Sequence, residues 1–543
     1  MRLTTTFADL LNRRGYCDDE RTRIFLDPKL AHLTSPDKMA DREAAIDRIV
    51  HGIKNSEQIA LFGDYDCDGI TSVAILTQVF RTLGGIVFPM VASRFQGGYG
   101  LSDAAVDKIL SSGTRLLVTC DCGSGDHERI EKLRRKGIDS IVIDHHLVPD
   151  EHLPTVAFLN PQRPDCGYPY KHLASCGLAI TLAAGLRTAL KPNLDLRQWL
   201  DLVAIGTVAD VVPLDGDNRC YVRAGMRVLE QRERVGIRAL AEVGRVVLSN
   251  VTSETISFDI APRINAPGRL GSPQDSLDLL LADDPQNARS IASRVEAARS
   301  ERRRIQDAIL TEALLDIENN GWKDSPGLVV ARPSWHPGVV GIVASQLVEQ
   351  FGKPVVVIGF DGDVGRGSAR GPSGVSVHDL LRESQEAPIA FGGHHAAAGI
   401  TVSSSAIPTF RDLFLEAARR AMPNGAARTS HSAEVVLDAT DRAIDVLSDF
   451  YWLEPCGISN EMPLVAVPDA RVLRSQEVRG GHLQVQLSLL SGSVLFGFGP
   501  RMGSLARQLR SGMRVNVTGT LRRDGFRGGE AVGIGLSSLE IDH

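Results

Sequence analysis

Nowhere in the 543 residues is there an apolar run of about 18, the length a membrane-spanning helix needs. The start, Met1-Arg2-Leu3-Thr4-Thr5-Thr6-Phe7-Ala8, also lacks the apolar core of a secretory signal, so a cytoplasmic protein with no membrane partner is expected. Cysteine is sparse, with eight in the chain and none at Cys-x-x-Cys spacing, which argues against a disulfide framework and a zinc ribbon. Positive charge is not in excess either. At a net charge of −6, any nucleic-acid role must rest on local basic patches. With 43% hydrophobic and 23% charged residues, no part is disordered by composition, and the length predicts three or four domains.

What is present is one acidic turn, Asp64-Tyr65-Asp66-Cys67-Asp68-Gly69, directly after the apolar run Ile59-Ala60-Leu61-Phe62 and before the helical pattern from Thr71 to Leu83. That order reads as strand, loop, helix, and puts three carboxylates at the carboxyl end of a strand, where open α/β sheets bind ligands. Like charges this close repel unless a divalent cation neutralises them. A solvated acidic turn is the plainer alternative. An EF-hand is excluded, because its twelfth position needs a bidentate Glu and here holds Ile75, and because a strand precedes it. Cys67, Cys120 and Cys122 fall beside the turn, so thiolate ligation of a soft metal is a further alternative; the carboxylate oxygens favour Mg²⁺ or Mn²⁺.

From Ile59 to about Pro213, strand-like runs alternate with amphipathic helical stretches, the later strands being 86–92, 116–119, 140–143 and 156–159, which predicts a parallel α/β sheet. Asp121 follows the third run and Asp144-His145-His146 the fourth, on the same edge as the acidic turn. A helical segment from Leu196 to about Ile205 leads into Gly206-Thr207-Val208-Ala209-Asp210. Four separated segments thus bring carboxylates and imidazoles to one crevice. That set suits two Mn²⁺ or Mg²⁺ ions about 4 Å apart, as used for phosphoryl transfer, with Asp144 behind them fixing the tautomer of a neighbouring imidazole.

These segments resemble the successive motifs of the DHH phosphoesterase superfamily, and Gly206 to Leu214 resembles its RecJ family in particular. So do Pro262-Arg263-Ile264-Asn265-Ala266-Pro267-Gly268-Arg269-Leu270, the run from Trp335 to Ala344, and Phe391-Gly392-Gly393-His394-His395-Ala396-Ala397-Ala398-Gly399. The resemblance covers about residues 50 to 540. It implies metal ligands at Asp66, Asp68, Asp121, His145 and Asp210, with Asp121 bridging and Asp64 and His146 close by. Several DHH relatives have a His four residues before an Asp of the first motif, where this chain has Phe62.

The expected architecture is multidomain α/β. An N-terminal cover (1–50) precedes a parallel-sheet DHH catalytic domain (51–282), a connector helix (283–322), a smaller α/β DHHA1 domain (323–427) and a C-terminal β-barrel OB-fold (428–543). In the connector, Ser300-Glu301-Arg302-Arg303-Arg304 is either a solvated helix face or a set of arginines flanking a DNA groove. In the second α/β region, Gly365-Arg366-Gly367-Ser368-Ala369-Arg370-Gly371 reads as a Gly/Arg loop whose backbone N–H groups could approach phosphate oxygens. By resemblance, Ser368, Arg370 and His394 bind substrate there, with Arg94 and Arg269 facing them from the first domain. Short β-runs after about Arg428 suit a barrel, separated by turns such as Arg523-Asp524-Gly525. Phe496 and Phe498 share a strand face, and strand period is expected to turn them into the core; base stacking, aided by Arg522 and Arg523, is their other use.

The resemblance implies a two-metal, single-strand-specific DNA exonuclease working 5′ to 3′ and releasing 5′-mononucleotides. It further implies a 5′-phosphorylated end as substrate, a place in DNA repair and recombination, and single-strand DNA-binding protein as a partner. A DHH phosphodiesterase acting on short oligoribonucleotides or cyclic dinucleotides would share the metal motifs, but so small a substrate needs no C-terminal β-domain.

Overall fold

The computed structural model describes residues 3–17, 19–387, 389–423, 425, 432–437, 440–524, 527, 528 and 530–542. The expected boundary at 427/428 and Gly525 of the expected turn lie outside the described residues.

The first sheet is parallel throughout, in the order β2 (Ile86–Val91), β1 (Gln58–Gly63), β3 (Leu116–Cys120), β4 (Asp139–Ile143), β5 (Ala157–Leu159). Its strands are apolar runs because both faces are covered. One face packs under helices Cys67–Thr82, Ser175–Leu190 and Leu200–Ala209, and the other under helices Asp103–Ser111 and His127–Arg135. The strand order reverses between β1 and its neighbours β2 and β3, which opens a crevice at their carboxyl ends.

Helix Pro285–Asn319 runs for 35 residues, about 50 Å at 1.5 Å per residue. Asp284 caps it, accepting the Asn287 N–H at 2.6 Å, and Pro285 occupies its first turn, where the missing N–H costs nothing. Its first half gives Ala288, Ile291, Ala292 and Val295 to the core of the first domain. Its second half gives Ile309, Ala313 and Ile317 to the core beneath the second sheet. One rigid rod therefore belongs to both hydrophobic cores.

The second sheet has the order β6 (Leu328–Pro333), β7 (Val355–Asp361), β8 (Val364–Arg370), β10 (Ala397–Ser403), β9 (Ala390–Gly393), with only the β6–β7 pair parallel. The stretch expected as a Gly/Arg loop is therefore a central strand, β8, hydrogen-bonded on both sides. Its glycines serve packing: a Cβ on Gly365 would come within 2.6 Å of the Phe360 ring, and one on Gly367 within 2.6 Å of Ile358 Cγ1. Backbone groups committed to the ladder are not available to a phosphate. The side chains of this strand are the part that can reach one.

The C-terminal strands close into a barrel, β12 (Val465–Val478), β13 (His482–Ser488), β14 (Val494–Gly499), β16 (Val532–Ile541) and β15 (Arg514–Arg523), which pairs back onto β12; β11 (Val435–Val436) extends β12. Helices Thr5–Arg13 and Glu20–Leu26 insert Phe7, Leu10, Leu11 and Phe25 into this barrel's core, whereas helix Arg42–Lys54 packs on the first domain. The N-terminal helices thus divide between the barrel and the first domain.

The tie between the barrel and the first domain is Arg219, buried on helix Gly216–Gln231. It donates to the Phe25, Leu453, Pro455 and Trp452 carbonyls at 2.8 to 3.2 Å and stacks 4.0 Å over the Phe25 ring. Burial pulls its pKa down to about 10, yet it stays charged at neutral pH. Arg219→Met keeps the volume and strands those carbonyls without a donor, so stability is expected to fall by about 2 to 4 kcal/mol. Calorimetry checks this, with earlier proteolytic release of the C-terminal barrel as a second readout.

Candidate metal centre

Strand register sets the carboxylates. Gly63 pairs with Cys120, and Cys120 with Ile143. The ladder then runs one step further, as Asp64 N–H donates to the Cys120 carbonyl at 3.2 Å, Asp121 N–H to Ile143 at 2.9 Å and Asp144 N–H to Leu159 at 3.1 Å. Asp64, Asp121 and Asp144 are therefore held level at adjacent strand ends, all buried. Asp121 turns its carboxylate into the crevice by adopting φ 63°, a left-handed conformation that Asp tolerates better than most residues.

Helix Cys67–Thr82 begins beside them, with Asp66 as its cap accepting the Asp68 and Gly69 N–H groups at 3.1 and 3.3 Å. Asp68 is buried and turned toward a second helix N-terminus, where Ser175 N–H and Cys176 N–H donate to its two oxygens at 2.6 and 2.9 Å. Ser175 Oγ lies 3.2 Å from Asp121 Oδ1. A helix N-terminus carries partial positive charge, so this contact holds both carboxylates in place.

Three groups of side chains bring ligand atoms within 4.8 Å of one another: Asp64, Asp66 and Asp121; Asp68, His145 and Asp210; Asp121, His145 and His146. Asp121 and His145 each belong to two groups, the arrangement needed for neighbouring cations. His145 Nε2 stands 3.1 Å from Asp121 Oδ1 and 3.4 Å from Asp210 Oδ2, and one ring nitrogen cannot donate to both. Asp64 Oδ1 and Asp210 Oδ2 are buried without a hydrogen-bond partner.

Electrostatics agree with that geometry. Burial first, then the neighbouring carboxylates, pushes Asp64, Asp121 and Asp210 well above the ordinary carboxyl range. Asp68 is also raised by burial, against the opposing pull of His145 and Cys176. Burial lowers His145, favouring the neutral ring a cation needs. Buried, mutually repelling oxygens and a neutral imidazole fit a hard divalent cation, and none of the three groups contains a cysteine.

Asp144 stands behind this set, and the ring it orients is that of His146. Its Oδ1 is 2.7 Å from His146 Nδ1 and accepts the backbone N–H of both histidines, while Oδ2 accepts Ser124 N–H at 3.1 Å. Burial would raise its pKa, but the His146 hydrogen bond and charge, with Ser124, outweigh it and hold Asp144 at about 2. His146 is raised because the Asp144 carboxylate overcomes the cost of burial. Tyr99 OH also reaches His146 Nδ1, at 3.0 Å.

Of the expected substrate residues, Arg94 and the turn bearing Arg269 lie against the acidic turn, and Ser368 and Arg370 lie together on the second domain. Arg94 lies 4.1 Å over the ring of Tyr65, the residue between Asp64 and Asp66. Gly268 packs so closely on the Tyr65 carbonyl that a Cβ would come within 2.9 Å, which fixes the following Arg269. Arg269 Nη1 donates across the domain boundary to the Gly338 carbonyl at 3.2 Å. On β8, Arg370 Nη1 donates to Ser368 Oγ at 2.6 Å, and both face Gly341 at the start of helix Val340–Phe351. His394 sits apart from these contacts, in the exposed turn between β9 and β10, near Ala397, which pairs with Arg370. Sequence reasoning missed Ser175, Cys176, Tyr65 and Tyr99. Tyr65 alone carried a local signal, its place inside the acidic turn.

On the barrel, Phe496 and Phe498 are half-exposed, and core packing is not their role. The inward positions of β14 are Leu495, Gly497 and Gly499, and the interior is already full, since a Cβ on Gly497 would come within 2.6 Å of Val485. The two rings instead line a groove of about 470 Å³ with Gln484, Gln486, Arg522 and Arg523, and Arg527 stands 3.9 Å over Phe496.

Family models match three parts of the chain: the DHH family N-terminal domain at 58–207, the DHHA1 domain at 324–420 and the RecJ OB domain at 433–537. The single-stranded-DNA-specific exonuclease RecJ of Bacillus subtilis is 32% identical over 525 residues, 96% of this chain and 66% of that protein. Its counterpart in Escherichia coli is 34% identical over 476 residues, 83% of this chain and 82% of that one. The crystal structure of Thermus thermophilus RecJ with Mn²⁺ matches with a TM-score of 0.82 at 28% identity, covering 100% of this chain and 76% of that one. The same protein with Mg²⁺ matches at 0.77 and 27% identity, covering 100% and 75%.

Proposed function

The chain belongs to the RecJ family, and from that premise we propose that it is a metal-dependent exonuclease removing 5′-mononucleotides from the 5′ end of single-stranded DNA. The observation that carries this reading is the joint at Tyr65: the residue flanked by two carboxylates of the metal centre also seats Arg94 and the turn bearing Arg269. A terminal phosphate held by arginines there would lie beside the residues that would hold the cations, so the bond presented to that centre would be one near the chain end. That adjacency supports end-directed cleavage.

Asp64, Asp66, Asp68, Asp121, His145 and Asp210 would hold Mn²⁺ or Mg²⁺. Bound divalent ions supply Lewis acidity toward a phosphodiester and lower the pKa of water. The remaining roles belong to the chain's own groups. Asp121 joins the ligand groups. Ser175 and Cys176 keep Asp68 and Asp121 from turning away. Asp144 holds the His146 ring through Nδ1 and favours its protonated form, so His146 can carry a proton beside Asp121. Arg94, Arg269, Ser368 and Arg370 grip the 5′-phosphate, with His394 at the rim. Along the emerging strand, the Phe496 and Phe498 face offers stacking and positive charge without sequence readout. The protein would work in the cytoplasm in DNA repair and recombination, on strands coated by single-strand DNA-binding protein.

Digestion of internally labelled single-stranded DNA, duplex DNA and RNA, with either end blocked and Mn²⁺, Mg²⁺ or chelator present, tests this directly. Metal-dependent loss of single-stranded DNA from the 5′ end is expected. Activity confined to short RNA or cyclic dinucleotides would move the protein to another branch of its superfamily. Phe496→Ala with Phe498→Ala should weaken binding of long strands by roughly 1 to 3 kcal/mol per lost stack and leave short oligonucleotides unaffected. Fluorescence anisotropy against strand length provides the check.

A further inference from the structure

Most arginines on the connector helix have a carboxylate partner: Arg289 with Glu242 at 2.6 Å, Arg294 with Asp275 at 2.7 Å, Arg299 with Glu296 at 3.0 Å and Arg304 with Glu301 at 2.7 Å. Arg302 differs. It is half-buried, its Nε is buried without a partner, and its Nη1 donates to the uncharged Gln306 Oε1 at 3.1 Å. Among the described residues no carboxylate forms an ion pair with it. A guanidinium drawn out of water and left unpaired is costly unless an anion arrives.

Its place on the helix says which anion. Positions 302, 306 and 309 share one face; Gln306 is buried, and Ile309 belongs to the second domain's core, against which Leu270, the neighbour of Arg269, also packs. The charges of Arg94, Arg302 and Arg370 all oppose that of Arg269, which burial first pulls down, to about 10. Leu270 sets the turn 266–270 against this helix, so guanidiniums from the segment after β2, that turn, the connector helix and β8 lie within range of one another's charge.

We propose that Arg302 is a further phosphate-binding residue, one that weights this pocket toward the terminal 5′-phosphate over an internal phosphodiester. This rests on the reading of Arg94, Arg269, Ser368 and Arg370 as the phosphate pocket. A phosphomonoester carries about −1.5 to −2 at neutral pH, whereas an internal phosphodiester carries a single charge. Each added unpaired arginine therefore favours the chain end over its interior. Supplying that arginine from the helix shared by both domain cores also ties end recognition to the placement of the two domains.

The test uses the full-length protein, wild type and Arg302→Gln, Arg302→Lys and the exposed-face control Arg289→Gln, on oligothymidylates of one length bearing a 5′-phosphate or a 5′-hydroxyl. Arg302→Gln is expected to lower the ratio of kcat/KM for phosphorylated over hydroxyl ends by about tenfold, mainly through KM. Arg302→Lys should retain part of the ratio and Arg289→Gln all of it. The slope of log KM against log salt for phosphorylated ends should fall by about 0.7 in Arg302→Gln. An unchanged ratio and slope would overturn the role of Arg302. Wild-type protein that does not distinguish the two ends would overturn the phosphate-pocket reading itself, and Arg302 with it.

Discussion

Asp121→Asn is expected to reduce turnover by at least about a thousandfold, equivalent to roughly 4 kcal/mol of transition-state stabilisation. Asp121 is shared by two of the three ligand groups, so neutralising it weakens both at once. Asn is the informative replacement because it tolerates φ 63° almost as well as Asp and can still accept from Ser175. Asp121→Ala should be equally inactive, with a further cost of about 1 kcal/mol for a left-handed alanine. The fold itself should survive, since the change removes one of several buried like charges. In metal-free buffer Asp121→Asn is expected to melt no lower than the parent, and the rise in Tm that Mn²⁺ gives the parent should shrink or vanish. Near-normal turnover, or an intact Mn²⁺ shift, would remove Asp121 from the metal centre.

The sheet and the acidic edge were legible because both are written in local pattern: apolar runs for strands, with β1, β3 and β4 each followed at once by Asp. What the sequence did not disclose lies in contacts far apart in the chain. Asp68 is held by Ser175 and Cys176, 107 and 108 residues away, and no spacing rule links a carboxylate to a distant helix N-terminus. The Gly/Arg stretch was misread as a loop because glycine is the usual mark of one; its glycines are there because Ile358 and Phe360 fill the space a Cβ would need. Phe496 and Phe498 were expected inside by the same habit of reading aromatics as core. A narrow barrel already filled by Val485 and Leu495 leaves the outer face for large rings. The partnership of helices Thr5–Arg13 and Glu20–Leu26 with the barrel was likewise invisible, since an amphipathic helix shows that it is covered but not by what.

Gly206→Ala carries the same lesson to the metal centre. Gly206 lies inside helix Leu200–Ala209 with no unusual backbone conformation, so alanine should be favoured there by about 1 kcal/mol on propensity alone. Any loss must then be steric. A Cβ would stand 2.4 Å from Thr71 Oγ1, 2.7 Å from Cys176 Sγ and 2.9 Å from Asp68 Oδ1, all three residues buried and none the free end of a long side chain. Overpacking of this kind costs about 1 to 3 kcal/mol, and the neighbour that must move includes a carboxylate whose position the chemistry needs. Displacement by even about 1 Å is expected to cost roughly a hundredfold in kcat. A single methyl, bearing no charge and touching no substrate, should therefore lower Tm, Mn²⁺ affinity and turnover together. Thr71→Ala removes the nearest obstructing atom, so the double variant Gly206→Ala/Thr71→Ala should recover part of all three. Full activity and stability in Gly206→Ala would mean that this helix contact does not set Asp68, and that the hydrogen bonds from Ser175 and Cys176 suffice alone.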